Sequence, residues 1–208
     1  MKSITKFAIL ISMFLIAFNG CKKDQSNQDG EDTDGFFTDP RDNQVYPFKK
    51  IGTQVWMTKN LNYDMWQARC YDENGDSCAK YGRLYGWQTA LTISPPGWHL
   101  PSDAEWTILT DYLGASAGGK MKSTTGWKSP NTGATNSSGF SGLPGGMRYW
   151  YGTFNDIGDI GRWWSSTENL SVNDLWAWGR VLNYNDDNVQ RDSMFFKQNM
   201  HAVRCIRD

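Results

Sequence analysis

The sequence predicts an α+β domain with short helices and an irregular, loop-rich antiparallel sheet region. Three observations lead there. A single amphipathic helix with complete start and stop signals sits mid-chain in "PSDAEWTILTDYLG". Short runs rich in β-branched and aromatic residues flank it early and late. Between helix and C-terminus lies "GFSGLPGGMRYWYGTFNDIGDIGRWWSSTEN", Gly139 to Asn169, where glycines and rings mix with no helical period and only patches of alternation. No repeat period runs through the chain, and helices early with strands late describe α+β rather than alternating α/β.

The first residues precede this domain. "MKSITK" is a basic n-region and "FAILISMFLIAF" an apolar run too short to span a bilayer as a helix, so residues 1–20 read as an export signal. Cys21 directly after Gly20 resembles a bacterial lipobox, in which signal cleavage leaves an N-terminal Cys carrying lipid. Phe18 stands where that pattern has Leu, and Asn19 is also off-pattern. Lys22, rather than Asp, implies sorting to the outer membrane. Residues 21–38, "CKKDQSNQDGEDTDGFFT", are polar and acidic up to Phe36 and cannot bury enough surface to order themselves, so they read as a flexible tether.

The folded domain is expected over 39–208. "QVYPFKKIGTQVWMTKNL" reads as two strands around a turn at Ile51–Gly52. In "RCYDENGDSCAKYGRLY", a three-residue hairpin loop at Glu73–Asn74–Gly75 with Gly75 left-handed sets Asp72 opposite Asp76 and Cys70 opposite Cys78. Opposed cysteines in an exported protein predict a disulfide and leave Cys205, between apolar neighbours in "AVRCIRD", as a free buried thiol. A short helix is expected near Trp87. In the main helix Ser102 and Glu105 form a capping box, Trp106, Leu109 and Leu113 share a face, and Gly114 stops it. Further strands are expected near 176–182 and 200–207.

The 208 residues carry a formal charge of −1, with no basic run beyond a pair, which gives no reason to expect nucleic acid. Apolar residues make up only 39%, but 11 Trp, 9 Tyr and 10 Phe supply a core of rings. Trp56, Trp98, Trp106, Trp163 and Trp164 are assigned to packing. In "MRYWYGTFND" three consecutive aromatics cannot all point inward. With Arg148, Asn155 and Asp156 around Tyr149, Trp150 and Tyr151, the stretch has the composition of a sugar-stacking surface, so these six are the ligand-binding candidates.

Catalytic and metal patterns are incomplete. "GASAGGKM" lacks the Ser or Thr of a phosphate-binding loop and follows a helix, so it reads as a helix cap and flexible loop. "DENGDS" and "NYNDDN" cluster oxygen donors but lack the distant Glu of a calcium loop. His99 and His201 stand far apart, and "GFSGL" misses the nucleophile elbow at Leu143. No catalytic residue, metal ligand or cofactor is assigned, and calcium is the one alternative left open.

"YGRLYGWQTAL", "GWHLPSDAEW", "GGKMKSTTGW", "GFSGLPGGMR", "RWWSSTEN" and "AVRCIRD", in this order, resemble the Fibrobacter succinogenes major paralogous domain. Its members are exported bacterial proteins, often lipoproteins of Bacteroidota and Fibrobacterota, without an established activity. "GWHLPSDAEW" and "VRC" are also similar to motifs of the formylglycine-generating, sulfatase-modifying group, which implies a C-type-lectin-like fold. Enzymes of that group bind copper through a cysteine pair. Here Cys70 and Cys78 come too early and "RWWSSTENLSVNDLWAW" has no Cys, so that activity is not carried over. The expectation is an outer-membrane lipoprotein with a non-catalytic domain for glycans or a surface protein. The alternatives are a diverged enzyme and a structural envelope component.

Overall fold

The computed structural model describes residues 33–208. The segments expected as export signal (1–20), lipid-bearing Cys21 and tether, as far as residue 32, lie outside the described residues. The folded unit starts earlier than composition suggested. Asp34–Thr38, read above as tether, is strand β1, antiparallel to β2 (Val45–Ile51). Phe37 turns inward to meet the Trp98 ring at 5.5 Å, while Phe36 stays exposed.

β2 turns at Gly52 (φ +65°) into β3 (Gln54–Met57), as expected. The next stretch departs from expectation. Cys70 and Cys78 are bonded, but no hairpin joins them. Tyr71–Glu73 forms a 3-10 turn, and Gly75–Tyr81 is helix α1. The local reason is Asn74, whose side chain accepts the Asp76 N–H and caps the helix. Asp72 and Asp76 are therefore not strand partners.

β4 (Leu84–Gly86), α2 (Trp87–Ala90) and β5 (Trp98–His99) lead to α3 (Asp103–Leu113). The α3 capping box forms between Ser102 and Glu105; Trp106, Leu109 and Leu113 are buried, and Gly114 ends the helix at φ +66°. α4 (Ala117–Met121) follows where a flexible loop was expected. Gly118 and Gly119 are buried there, and the Gly119 N–H donates to the Asp187 carbonyl.

The glycine–aromatic half is more regular than its sequence. It contains β6 (Gly145–Arg148), β7 (Phe154–Ile157), β8 (Ile160–Glu168), β9 (Trp176–Asn183) and β10 (Gln190–Phe196). The final stretch divides into β11 (Met200–Ala202) and β12 (Ile206–Arg207). Among the described residues one sheet runs β1–β2–β3–β12–β5. The other runs β10–β9–β8–β11–β6–β7, with β4 paired to β11. It is mixed rather than antiparallel, because β8 pairs parallel with both β11 and β6. The class is α+β, as expected.

Glycine explains the close packing at two positions. Gly146 sits at φ +65°, where any Cβ would strike the Asn155 carbonyl of the neighbouring strand. A Cβ on Gly161 would lie 2.5 Å from the Trp163 ring. All five Trp assigned to packing are buried, from 0% to 6% exposed. The indole N–H groups of three of them find acceptors on distant segments: Trp106 the Trp164 carbonyl, Trp164 the Tyr85 carbonyl, Trp163 the Asn60 Oδ1. Cys205 is free and buried, and burial pushes its thiol up to about 12. α3 is pinned to the second sheet by Asp103, which takes Arg180 and Arg191, each at 2.7 Å.

Candidate functional site

Strand register places several exposed side chains at one end of the second sheet. Met200 pairs with Gly86 on one side and with Arg148 on the other, and Arg148 pairs with Phe154. The Arg69–Leu84 antiparallel bridge extends this row to the segment holding Trp66 and Gln67. From that segment to Arg148 the row covers three strand spacings, about 14 Å.

One end of the row is the tip of the β6–β7 hairpin. The Tyr149 N–H donates to the Thr153 carbonyl and the Gly152 N–H to the Tyr149 carbonyl, so Trp150 and Tyr151 occupy the middle of a tight turn. A residue at a turn tip has no strand neighbour to cover it, and both rings are 60% exposed. Tyr149 and Tyr151 stack at 5.1 Å and 7°, and Trp150 meets Tyr151 edge-on. The Asn199 side chain accepts the Trp150 backbone N–H and fixes the tip to the turn before β11.

The other end carries Trp66, 79% exposed. Between the ends lies a shallow trough of about 330 Å³, lined by Gln67, Gln88, Thr89, Gln198, Trp87 and Met200 among others. Gln67, Gln88 and Gln198 are exposed. The Thr89 hydroxyl donates to Gln67 Oε1, whereas the Gln88 and Gln198 amides bond no side chain or backbone group among the described residues. Lys197, also on the trough, is neutralised by Glu168 at 2.7 Å and lies over the Trp87 ring. The trough thus offers neutral amide donors and acceptors beside the Trp87 ring.

Of the six sequence candidates, Tyr149, Trp150 and Tyr151 form the tip. The Arg148 guanidinium points at Met200 Sδ and lies over the Phe154 ring, and its Nε is buried without a partner. Asn155 is exposed on β7, and Asp156 is committed to Arg162. Trp66, Gln67, Gln88, Gln198 and Asn199 escaped the sequence reading. No local pattern marks them, because they meet only through strand pairing.

Of the ionisable groups singled out elsewhere, His99 and Lys122 have polar partners, whereas the buried His201 Nδ1 has none among the described residues. His99 donates or accepts at both ring nitrogens, to Asp208 at 2.6 Å and Glu105 at 2.8 Å. Desolvation pulls its pKa down, but the two carboxylates outweigh it and the net shift is upward. His201 is buried between Trp164 and Phe195, and desolvation holds it neutral. In "NYNDDN" the carbonyls of Asn183 and Asp186, with that of Thr132, receive the buried Lys122 ammonium at 2.8–2.9 Å. The chain's own cation thus occupies two backbone carbonyls of this loop. The "DENGDS" oxygens instead cap and flank α1. Among the described residues no three His, Cys, Asp or Glu side chains come together as metal ligands.

The arrangement defines a class: an α+β domain with a ring-and-amide surface at one sheet end. The family follows from comparison. The family model of the Fibrobacter succinogenes major domain matches residues 50–207, and the chain belongs to that family. No curated protein and no solved structure matches the chain.

Proposed function

We propose that this chain is an exported, lipid-anchored protein of the bacterial outer membrane whose domain binds glycans without transforming them. The observation that carries the reading is the sheet end itself. Exposed Trp66 adjoins the lining Gln67 in sequence, exposed Trp150 is tied to Asn199 beside the lining Gln198, and the trough's Gln88 and Gln198 amides are uncommitted. Aromatic faces stack on apolar sugar faces, and amides satisfy hydroxyls without a charge requirement. Binding is favoured over catalysis because the ionisable groups with shifted behaviour are spent on structure, as at His99 and Lys122. Cys21 is the proposed lipid attachment point, with the segment after it as spacer.

We further infer a C-type-lectin-like arrangement. "GWHLPSDAEW" forms β5 and the capped start of α3, and the closing "VRC" leads into β12. Ile206 of β12 pairs with His99 of β5, so the two motifs that carry the resemblance adjoin in space.

The test is a glycan array followed by calorimetry on the full chain, repeated with Trp66→Ala and Trp150→Ala. Each substitution is expected to weaken a neutral oligosaccharide about tenfold, the equivalent of about 1.4 kcal/mol, without lowering the melting midpoint. Absence of any array hit, or parental affinity retained in both variants, removes the glycan reading. Anchoring is checked by a mass gain at Cys21 that disappears in Cys21→Ser.

A further inference from the structure

A second concavity of about 340 Å³ shares no lining residue with the trough. It lies between the start of β2, the segment after β3 and the C-terminal half of α1. Its charges are one-sided: Lys59, Lys80 and Arg204 line it, and no Asp or Glu does, in a chain whose net charge is −1. Lys59 and Lys80 are exposed and form no ion pair among the described residues.

Arg204 is the unusual member. It is 1% exposed, yet no carboxylate faces it. Its Nε and Nη2 donate to Asn60 Oδ1, its Nη1 donates to the carbonyls of Met57 and Phe140, and the guanidinium lies over the Phe140 ring. A guanidinium has five N–H donors, so one on Nη2 is left without an acceptor among the described residues. Desolvation without a counter-charge pulls its pKa down to about 9, which still leaves it cationic at neutral pH. A buried cation whose partners are all neutral is electrostatically incomplete. Contrast Arg180, equally buried, which has Asp103 at 2.7 Å.

The rest of the lining supplies hydroxyl and amide groups from Thr58, Ser123, Ser141 and Asn62, and the buried Asn62 Oδ1 has no donor. An occupant that completes both features carries a negative group for Arg204 and hydroxyl donors for Asn62.

We propose that this cleft binds an acidic sugar unit, its anionic group held by Arg204 and steered by Lys59 and Lys80. The site is independent of the aromatic surface, so the domain reads neutral and charged parts of a glycan at different places.

The experiment is calorimetric titration of the full chain with D-galacturonate, with glucose 6-sulfate, with glucose and with inorganic sulfate. The acidic sugars are expected to bind, and glucose is not. Carboxylate and sulfate arms tell which anion is preferred. Lys59→Gln/Lys80→Gln, two exposed sites that leave the core intact, should weaken uronate binding at least tenfold and flatten its salt dependence. Arg204→Lys should abolish it. If that variant fails to fold, the double variant and the arginine side-chain NMR resonances of the unaltered chain on titration carry the test. Equal binding of glucose and galacturonate, no binding of either acidic sugar at millimolar concentration, or unmoved Arg204 resonances overturns the proposal. Trp150→Ala should leave uronate affinity unchanged, which separates failure of this site from failure of the aromatic one.

Discussion

Two runs of adjacent aromatics, Tyr149–Tyr151 and Trp163–Trp164, stand a dozen residues apart with the same chemistry and opposite fates. Trp163 and Trp164 are fully buried on β8, and each indole N–H has an acceptor on a distant segment. Trp150 and Tyr151 occupy a turn, 60% exposed, and the Trp150 indole has no acceptor among the described residues. Ring content therefore does not separate scaffold from surface. What separates them is whether a distant segment offers an acceptor for the indole N–H and a neighbouring strand closes over the ring.

The largest test breaks that contrast directly. Trp163→Ala should cost about 3–5 kcal/mol in denaturant unfolding, since it leaves a cavity and orphans part of Asn60's bonding. Trp150→Ala should fall within about 0.5 kcal/mol of the parent. Comparable losses at the two positions would mean that the tip is packed rather than displayed.

Lysines make the same contrast at smaller scale. Lys80 is exposed, whereas Lys122 is buried with its ammonium on three carbonyls. Desolvation draws the Lys122 pKa down, opposed by Asp186 and Asp187. Lys122→Met removes a hydrogen-bonded buried charge and leaves those carbonyls unpaired, for a loss of about 3 kcal/mol. Lys80→Met should be neutral to within about 0.5 kcal/mol. Because the ammonium already takes two carbonyls of that loop, a chelator should leave the parent melting midpoint unchanged. A clear drop would restore calcium to that loop.

What the sequence disclosed divides along the same line. Ser102 and Glu105 are three residues apart, so their capping box is a local fact and was legible. The Cys70–Cys78 bond was legible too, but its setting was not. The choice between hairpin and helix rests on one Asn74 side chain and not on spacing. β8 was hidden because its glycine and its rings are explained only by partners far away, such as Asn60 for Trp163. Of the candidate surface, the tip was visible as three rings too many for one interior. Trp66 and the glutamines were not, since the pairing of β4, β11 and β6 that gathers them leaves no local trace.

The disulfide ranks next. It closes a loop with a sequence separation of 8, and chain-entropy reasoning for so short a loop gives about 2–3 kcal/mol. Reduction, or Cys70→Ser/Cys78→Ser, should lower stability by that amount or less. Thiol counting on the unreduced chain should find Cys205 unpaired and reactive only after unfolding. Its burial raises the thiol pKa and blocks access. Rapid labelling of Cys205 in the folded state would contradict its burial.

The two histidines give the smallest effect and the most specific signature. His99 is raised in the fold, so its contribution is complete below the unfolded value near 6.5 and is lost as pH rises through the folded value. His201 is lowered, so the unfolded chain binds its proton first and stability falls as pH drops below about 6.5. The opposing limbs place a stability maximum near the unfolded histidine value. His99→Gln should flatten the alkaline limb by less than about 1 kcal/mol, because the pair is part-exposed and screened. His201→Phe should flatten the acid limb. Asp103 and Glu105 lie lower still: burial raises them, but hydrogen bonds, from Arg191 and Arg180 and from Ser102 and His99 respectively, prevail. Their loss belongs to the further fall below about pH 4. A stability profile that rises steadily from pH 6 to 9, in urea titrations at constant ionic strength, would contradict the His99 bridge to Glu105 and Asp208.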